Sequence, residues 1–405
     1  MNETPYDTEW FKTYIEKCSF DDITYIRFNQ KNLAEQKELF FAGKIDEPKF
    51  LYDFDEAAIS RFEKELLGLR EIVESDRNAL PAVQKVYLAK ISEQLDKIEL
   101  LRAMSLGDDN KFFDTSLKLY GTLEKSIMKD SLSTILNVAK KRNFHVSENI
   151  LEIASYFEAV DNETMFNYGI IENEHVLSVP ELVDLFQKEL REKNIDWKVK
   201  IKNEALAVHL NYRDKAIYIP HNRQTTYTEA HSIIEHEVGV HLARHINGRL
   251  SKLLLLSIGL DHYIVGEEGL ANYKQVSIDY SGLPGNVNYL TIGLAIGLHK
   301  NKPWNFREIF NFSNEYLEIL GAPKQQIHEM SWKRCLRIFR GTTSGSGSGT
   351  CFTRDIIYLK GFLQIKKLIE TNDPEVSRFL VGKYDPANRN HVDLLNQLDI
   401  NLTKP

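Results

Sequence analysis

Cysteine is scarce: three in 405 residues, Cys18, Cys335 and Cys351, an odd number without paired spacing. This argues against a secreted disulfide scaffold and suits a reducing compartment, with the thiols buried or incidental. No basic start followed by an apolar run opens the chain, and the longest apolar stretches, 253–258 and 289–298, are too short to span a bilayer. A soluble, cytoplasmic protein is expected, with no membrane partner. Excess positive charge is also missing. The formal net charge is -7 and the two signs are interleaved throughout, so there is no long-range pull toward nucleic acid. Internal repeats and coiled-coil heptads are absent. The 42% hydrophobic content suffices for one large core or two smaller ones.

From about Phe54 to Lys140, apolar residues such as Ile59, Phe62, Leu66, Leu69 and Ile72 recur at three- and four-residue spacing between Glu, Lys and Arg. That period predicts amphipathic helices. Near Asp196 the pattern changes to alternation. Trp197 to Ile201, Leu206 to Tyr212 and Ala216 to Ile219 read as short strands, the last two joined through Arg213-Asp214-Lys215 as a hairpin ending at Pro220. A long helix is expected to begin at Thr226–Thr228, capped by hydroxyls, and to stop at Asn247-Gly248. Thr342 to Thr350, rich in Gly and Ser, reads as a mobile loop: either a natural flexible lid or an engineered linker in place of a longer one.

Four of twelve histidines, His231, His236, His241 and His245, fall within fifteen residues on that helix. A zinc hydrolase needs three protein ligands, an open position for water and a carboxylate to take the water's proton. His236, Glu237 and His241 can supply two ligands and the base. Their spacing, however, is His-Glu-x-x-x-His, one residue longer than the His-Glu-x-x-His that puts both rings on one helical face. At about 100° per residue, five residues separate the rings by roughly 140°. The motif therefore predicts a π-type turn, eased by Gly239. His241 with His245, and His231 with Glu235-His236, are rival pairings, and a polar helix with incidental histidines is as good a reading on spacing alone.

The segment 236–241, followed by Arg244, Asn247-Gly248 and Glu267-Glu268-Gly269-Leu270-Ala271, resembles the family named for its Gln-Glu-Gly-Leu-Ala motif, which includes the microtubule-associated tyrosine carboxypeptidases. The likeness extends to Leu101 through Tyr120-Gly121, to Arg337–Gly341 with Phe352–Asp355 and Tyr358, and to Val381-Gly382-Lys383, so it covers most of the chain from about residue 50. Glu267 departs from the motif's Gln. The resemblance implies one Zn²⁺ held by His236, His241 and Glu268, with Glu237 activating the water. Neighbouring helical side chains diverge by about 100°, so Glu267 cannot face the same ion and is expected to orient a ligand or face solvent. The implied fold is α+β and mainly helical, zincin-like with a small sheet and a long active-site helix, divided into a helical region 1–185 and a catalytic region 186–405. The implied activity is removal of a C-terminal residue, tyrosine among the candidates, from a peptide or protein. Tubulin enters only through the animal members of the family, which remove the C-terminal tyrosine of α-tubulin.

Recognition of a terminal carboxylate calls for arginine. Arg337 and Arg340, three apart on one helical face, are the favoured pair, with Arg354 and Tyr358 beside them in sequence and Arg334 flanking the same loop. A solvated basic helix face is the alternative. Tyr273 and Tyr358 are candidate oxyanion donors, each as readily a packed or surface tyrosine. Two other functional classes share these residues: a non-catalytic binding protein that keeps a zinc-site fold, and a zinc hydrolase of a non-peptide amide.

Overall fold

The computed structural model describes residues 4–161, 175–203, 205, 207–279, 285–343 and 347–401. Helices dominate and the sheets are small. The chain forms two compact units, each assembled from segments distant in sequence: residues 1–7, 167–284 and 361–405 form one, and 8–166 and 285–360 the other. The division expected at 185/186 differs from this arrangement and falls inside the helix Val179–Glu192. Among the described residues, no helix is long and apolar enough to cross a membrane.

The second unit contains the helices expected from periodicity, Glu56–Ser75, Pro81–Leu106, Asp109–Tyr120 and Lys125–Lys141. Ile59, Phe62, Leu66 and Leu69 are buried on one stripe of the first of these, as the spacing requires. Elsewhere in this unit Phe40, Phe306, Phe310 and Trp332 form an aromatic cluster with ring centroids 5.0–5.3 Å apart. The Gly/Ser run has buried ends: Thr342 donates to the Phe339 carbonyl at 2.8 Å, and Thr350 is also buried. Its centre, 344–346, lies outside the described residues, as does Leu206 of the expected strands.

The first unit is built on a three-stranded sheet. Helix α1 (Val179–Glu192) starts with a capping box, in which Ser178 and Glu181 satisfy each other's amides. Strand β1 (Lys198–Lys202) pairs in parallel with β3 (Ala216–Pro220), and β2 (His209–Asn211) pairs antiparallel with β3, giving the order β1-β3-β2. The expected hairpin is present. Asn211 Oδ1 accepts from the Asp214 amide, and Lys215 takes the left-handed conformation that closes the turn. Ile217 and Ile219 of β3 pack with Leu182, Phe186 and Leu190 of α1 in a core that also takes Ala230, Ile234, Val238 and Leu242. The last four belong to the helix that follows, so sheet packing fixes which face of it remains for chemistry.

That helix, α2, runs in three pieces: α-helical Tyr227–Ile234, π-helical Glu235–Leu242 and α-helical Ala243–Leu250. Thr226 caps it by accepting from the Glu229 amide. It passes through the expected stop at Asn247-Gly248. Gly248 instead lets the Leu256–Ser257 backbone approach, since a Cβ there would lie 2.4 Å from the Ser257 nitrogen. Helix α3 (Ile264–Val276) packs against the π segment.

Candidate metal centre

The π segment spans the whole of 236–241 and changes the angular relation of the two histidines. On an α-helix their rings would diverge; here their centroids are 4.8 Å apart. Val238, Val240 and Leu242 are fully buried, anchoring the other faces of the bulge in apolar contacts. Gly239 contributes by size: a Cβ there would meet the Glu235 carboxylate at 2.5 Å.

Each ring is aligned through its Nδ1. His236 Nδ1 lies 2.9 Å from Gln275 Oε1, and His241 Nδ1 lies 2.8 Å from Glu267 Oε1. An Nδ1–H donated to these acceptors leaves the Nε2 lone pair as the ligand site on both rings. His236 Nε2 is 3.9 Å from Glu268 Oε2. One ligand atom from each of His236, His241 and Glu268 lies within 4.8 Å of the other two. Two imidazoles and a carboxylate form a donor set suited to zinc. Burial lowers the His236 pKa to about 4, which keeps that ring neutral, as a ligand must be.

Glu267 and Glu268 point apart. Glu267 is buried, and besides His241 it holds Arg244 Nη1 at 2.7 Å and Lys383 Nζ at 3.0 Å. Burial alone would raise its pKa; the Lys383 ammonium and the Arg244 guanidinium outweigh that and hold the carboxylate well below the usual range. Arg244 is itself fully buried and donates to the Gly382 and Tyr384 carbonyls at 2.6 and 2.5 Å. Lys383 donates to Tyr212 Oη at 2.8 Å. A buried charge network thus orients His241. Glu237 has the opposite environment: burial, with the Glu268 carboxylate beside it, pushes its pKa up to about 8.

Helix α3 carries both glutamates and Gln275 because glycines let it sit close. A Cβ on Gly269 would fall 2.4 Å from the Gly361 backbone. Only glycine permits that approach, which explains its place directly after Glu268.

The remaining histidines are engaged elsewhere. His245 Nδ1 faces the Ser257 carbonyl at 2.8 Å and its ring lies 4.5 Å from that of Tyr212; His231 packs on Tyr227 at 4.4 Å. Tyr273 packs with Phe362. Arg334, Arg337, Arg340, Arg354 and Tyr358 belong to the second unit. There Arg337 makes a bidentate bond to Asp355 at 2.7 and 2.9 Å and also bonds Tyr358, while Arg354 pairs with Asp21 and Asp22. Arg340 keeps a buried Nε with no hydrogen-bond partner among the described residues. Sequence reasoning gave no role to Gln275, Arg244, Lys383 or Tyr212. One signal was present for Gln275, which lies seven residues after Glu268 and so on the same helical face. Arg244 and Lys383 stood among the residues carrying the resemblance, without a partner to explain them.

Microtubule-associated tyrosine carboxypeptidase 1 of Mus musculus is 29% identical over 147 residues, which is 35% of this chain and 28% of the relative. The protein of the same name from Rattus norvegicus matches over the same extent. The aligned part thus spans little more than a quarter of either relative's length. A crystal structure of a protein from Colwellia psychrerythraea covers 90% of this chain and 72% of its own at 12% identity, with a TM-score of 0.41, too distant a likeness to bear on the fold. The family model described as microtubule-associated tyrosine carboxypeptidase matches residues 37–281 and 294–404, most of the chain, and the protein therefore belongs to that family.

Proposed function

We propose that this chain is a zinc-dependent carboxypeptidase that removes a C-terminal residue, tyrosine foremost, from a peptide or protein. One observation carries the reading: a π turn aligns two histidines five residues apart beside Glu268, with a half-buried carboxylate, Glu237, next to the first of them. His236, His241 and Glu268 would hold the metal. Zinc bound there would act as a Lewis acid on the scissile carbonyl and lower the pKa of water toward neutrality. Glu237 receives the proton given up by the attacking water and passes it to the leaving amine, a task favoured by a carboxylate whose proton affinity lies near working pH. Gln275 and Glu267 hold the two rings in the tautomer that presents Nε2. Lys383 and Arg244 keep Glu267 ionised, so the acceptor for His241 is not lost to protonation.

The preference for tyrosine rests on the names of the family and its relatives. Tubulin is one protein C-terminus to try among others. Arg337, Arg340, Arg354 and Tyr358 remain the residues proposed to read the substrate's carboxylate, tested by a rise in KM in Arg337→Lys and Arg340→Lys.

The decisive experiment combines elemental analysis with a library of peptides of varied C-terminal residue, read by mass spectrometry. One zinc per chain and single-residue release are expected, with release abolished and zinc retained in Glu237→Gln. Full activity in that variant would remove the proposed base. Zinc-loaded protein that cleaves no peptide would favour a binding role or a non-peptide amide as substrate.

A further inference from the structure

The three-stranded sheet ends on β1, and among the described residues no strand pairs with its outer edge. The Lys198 amide donates to the Lys215 carbonyl at 3.0 Å, so in this parallel pair Lys198, Lys200 and Lys202 turn their amides toward β3. Val199 and Ile201 then present theirs outward, as alternate residues of a parallel strand do. Ile201 is 53% exposed. Beside this edge, a groove of about 390 Å³ runs between α1 and β1, with Leu190, Ile195, Trp197 and Val199 as an apolar floor and Arg191, Lys198 and Lys200 on its rim.

The charge around this edge is one-sided. The nearby α1 carboxylates are paired on their own helix, Glu189 with Lys193 and Glu192 with Lys188. Arg191, Lys198, Lys200 and Lys202 have no carboxylate within ion-pair distance among the described residues. Lys200 and Lys202 lie over the Tyr218 ring at 5.8 and 5.0 Å. Asp214 accepts from the Tyr218 hydroxyl and Asp196 is exposed in the strand's approach, so among the described residues the cations along this edge outnumber the carboxylates beside it. This concentration of cations stands in a chain of net charge -7.

We infer that β1 is a docking edge for an extended acidic segment of another protein, added as a fourth strand with an apolar side chain in the groove. Main-chain pairing supplies affinity and the lysines select acidic partners. A second copy of this chain is disfavoured, because edge-to-edge pairing would set lysine against lysine. Edge lysines that serve only to prevent aggregation would bind nothing. Strand β2, at the opposite edge, touches the π segment, and β1 carries none of the candidate metal ligands, so docking on β1 does not depend on the metal-centre reading.

The test is fluorescence anisotropy with the full chain and a labelled peptide of alternating glutamate and valine, at low and high salt, against the same peptide N-methylated on the amides of one edge and against oligothymidylate. Expected are salt-sensitive binding, a loss of about tenfold on N-methylation of the pairing edge, and a loss of at least about tenfold in Lys198→Glu/Lys200→Glu/Lys202→Glu. The N-methylated probe uses the unaltered protein, so the result does not depend on the variant folding. No binding at low salt, binding indifferent to N-methylation of either edge, or tighter binding of oligothymidylate than of the peptide would overturn the inference.

Discussion

Glu237→Gln should stabilise the metal-free protein at alkaline pH and leave it almost unchanged at pH 5. The folded chain binds the Glu237 proton with a pKa of about 8, against 4.5 for an unperturbed glutamate. Below 4.5 both states are protonated and the group contributes nothing. As pH rises from 4.5 to 8, the unfolded chain releases the proton while the folded chain keeps it, so stability falls by about 1.4 kcal/mol per unit. The loss approaches about 3 kcal/mol at pH 7 and about 5 kcal/mol above pH 8, an upper bound because part of the side chain meets solvent. Either figure is a large share of a typical folding free energy of roughly 5–15 kcal/mol. Glutamine keeps the shape and cannot ionise. Guanidinium unfolding of chelator-treated parent and variant between pH 5 and 9 measures the difference, which should open toward alkaline pH and shrink when zinc is added, since a dication beside Glu237 favours its charged form. Parallel stability curves for the two metal-free proteins would refute the argument.

Glu267→Leu strips Arg244 and Lys383 of their shared anion and His241 of its acceptor; it should cost about 3–5 kcal/mol in denaturant unfolding and weaken zinc binding by about 10–100-fold in a chelator competition. In Gly269→Ala the new methyl meets backbone rather than a flexible side-chain end, so a loss of roughly 1–3 kcal/mol is expected. Its melting temperature should fall together with zinc affinity, because Glu268 moves with the helix; a variant that loses neither would show that the close approach is dispensable. His241→Asn should abolish stoichiometric zinc, whereas His245→Asn should retain it; zinc lost in His245→Asn as well but kept in His236→Asn would revive the rival pair four residues apart.

Much of this site could be read before any coordinates because its chemistry is local. A five-residue separation of two histidines conflicts with a 3.6-residue period, and only a deformed helix resolves that conflict in favour of a shared ligand; the π segment at Glu235–Leu242 is that deformation. The Thr226 cap, the β2–β3 hairpin and the buried stripe of Glu56–Ser75 likewise depend on neighbours within a few residues. What stayed hidden joins distant positions. Lys383 reaches Glu267 across more than a hundred residues, and Gly361 meets Gly269 across nearly as many, with no periodicity linking them. The unit boundaries failed to show for the same reason: a cut at 185/186 is invisible to composition, yet it would split the face formed by Leu182, Phe186 and Leu190 against the sheet. A further consequence concerns the acidic pair on α3. In sequence, Glu267 and Glu268 look interchangeable. Their roles diverge because helical geometry turns one toward Arg244 and Lys383 and the other toward the histidines. Lys383, which helps keep Glu267 ionised, also opposes the repulsion that Glu268 and Glu267 exert on Glu237. Where a local rule is broken or a charge is buried, the compensation lies nearby in space, and here both exceptions converge on His241.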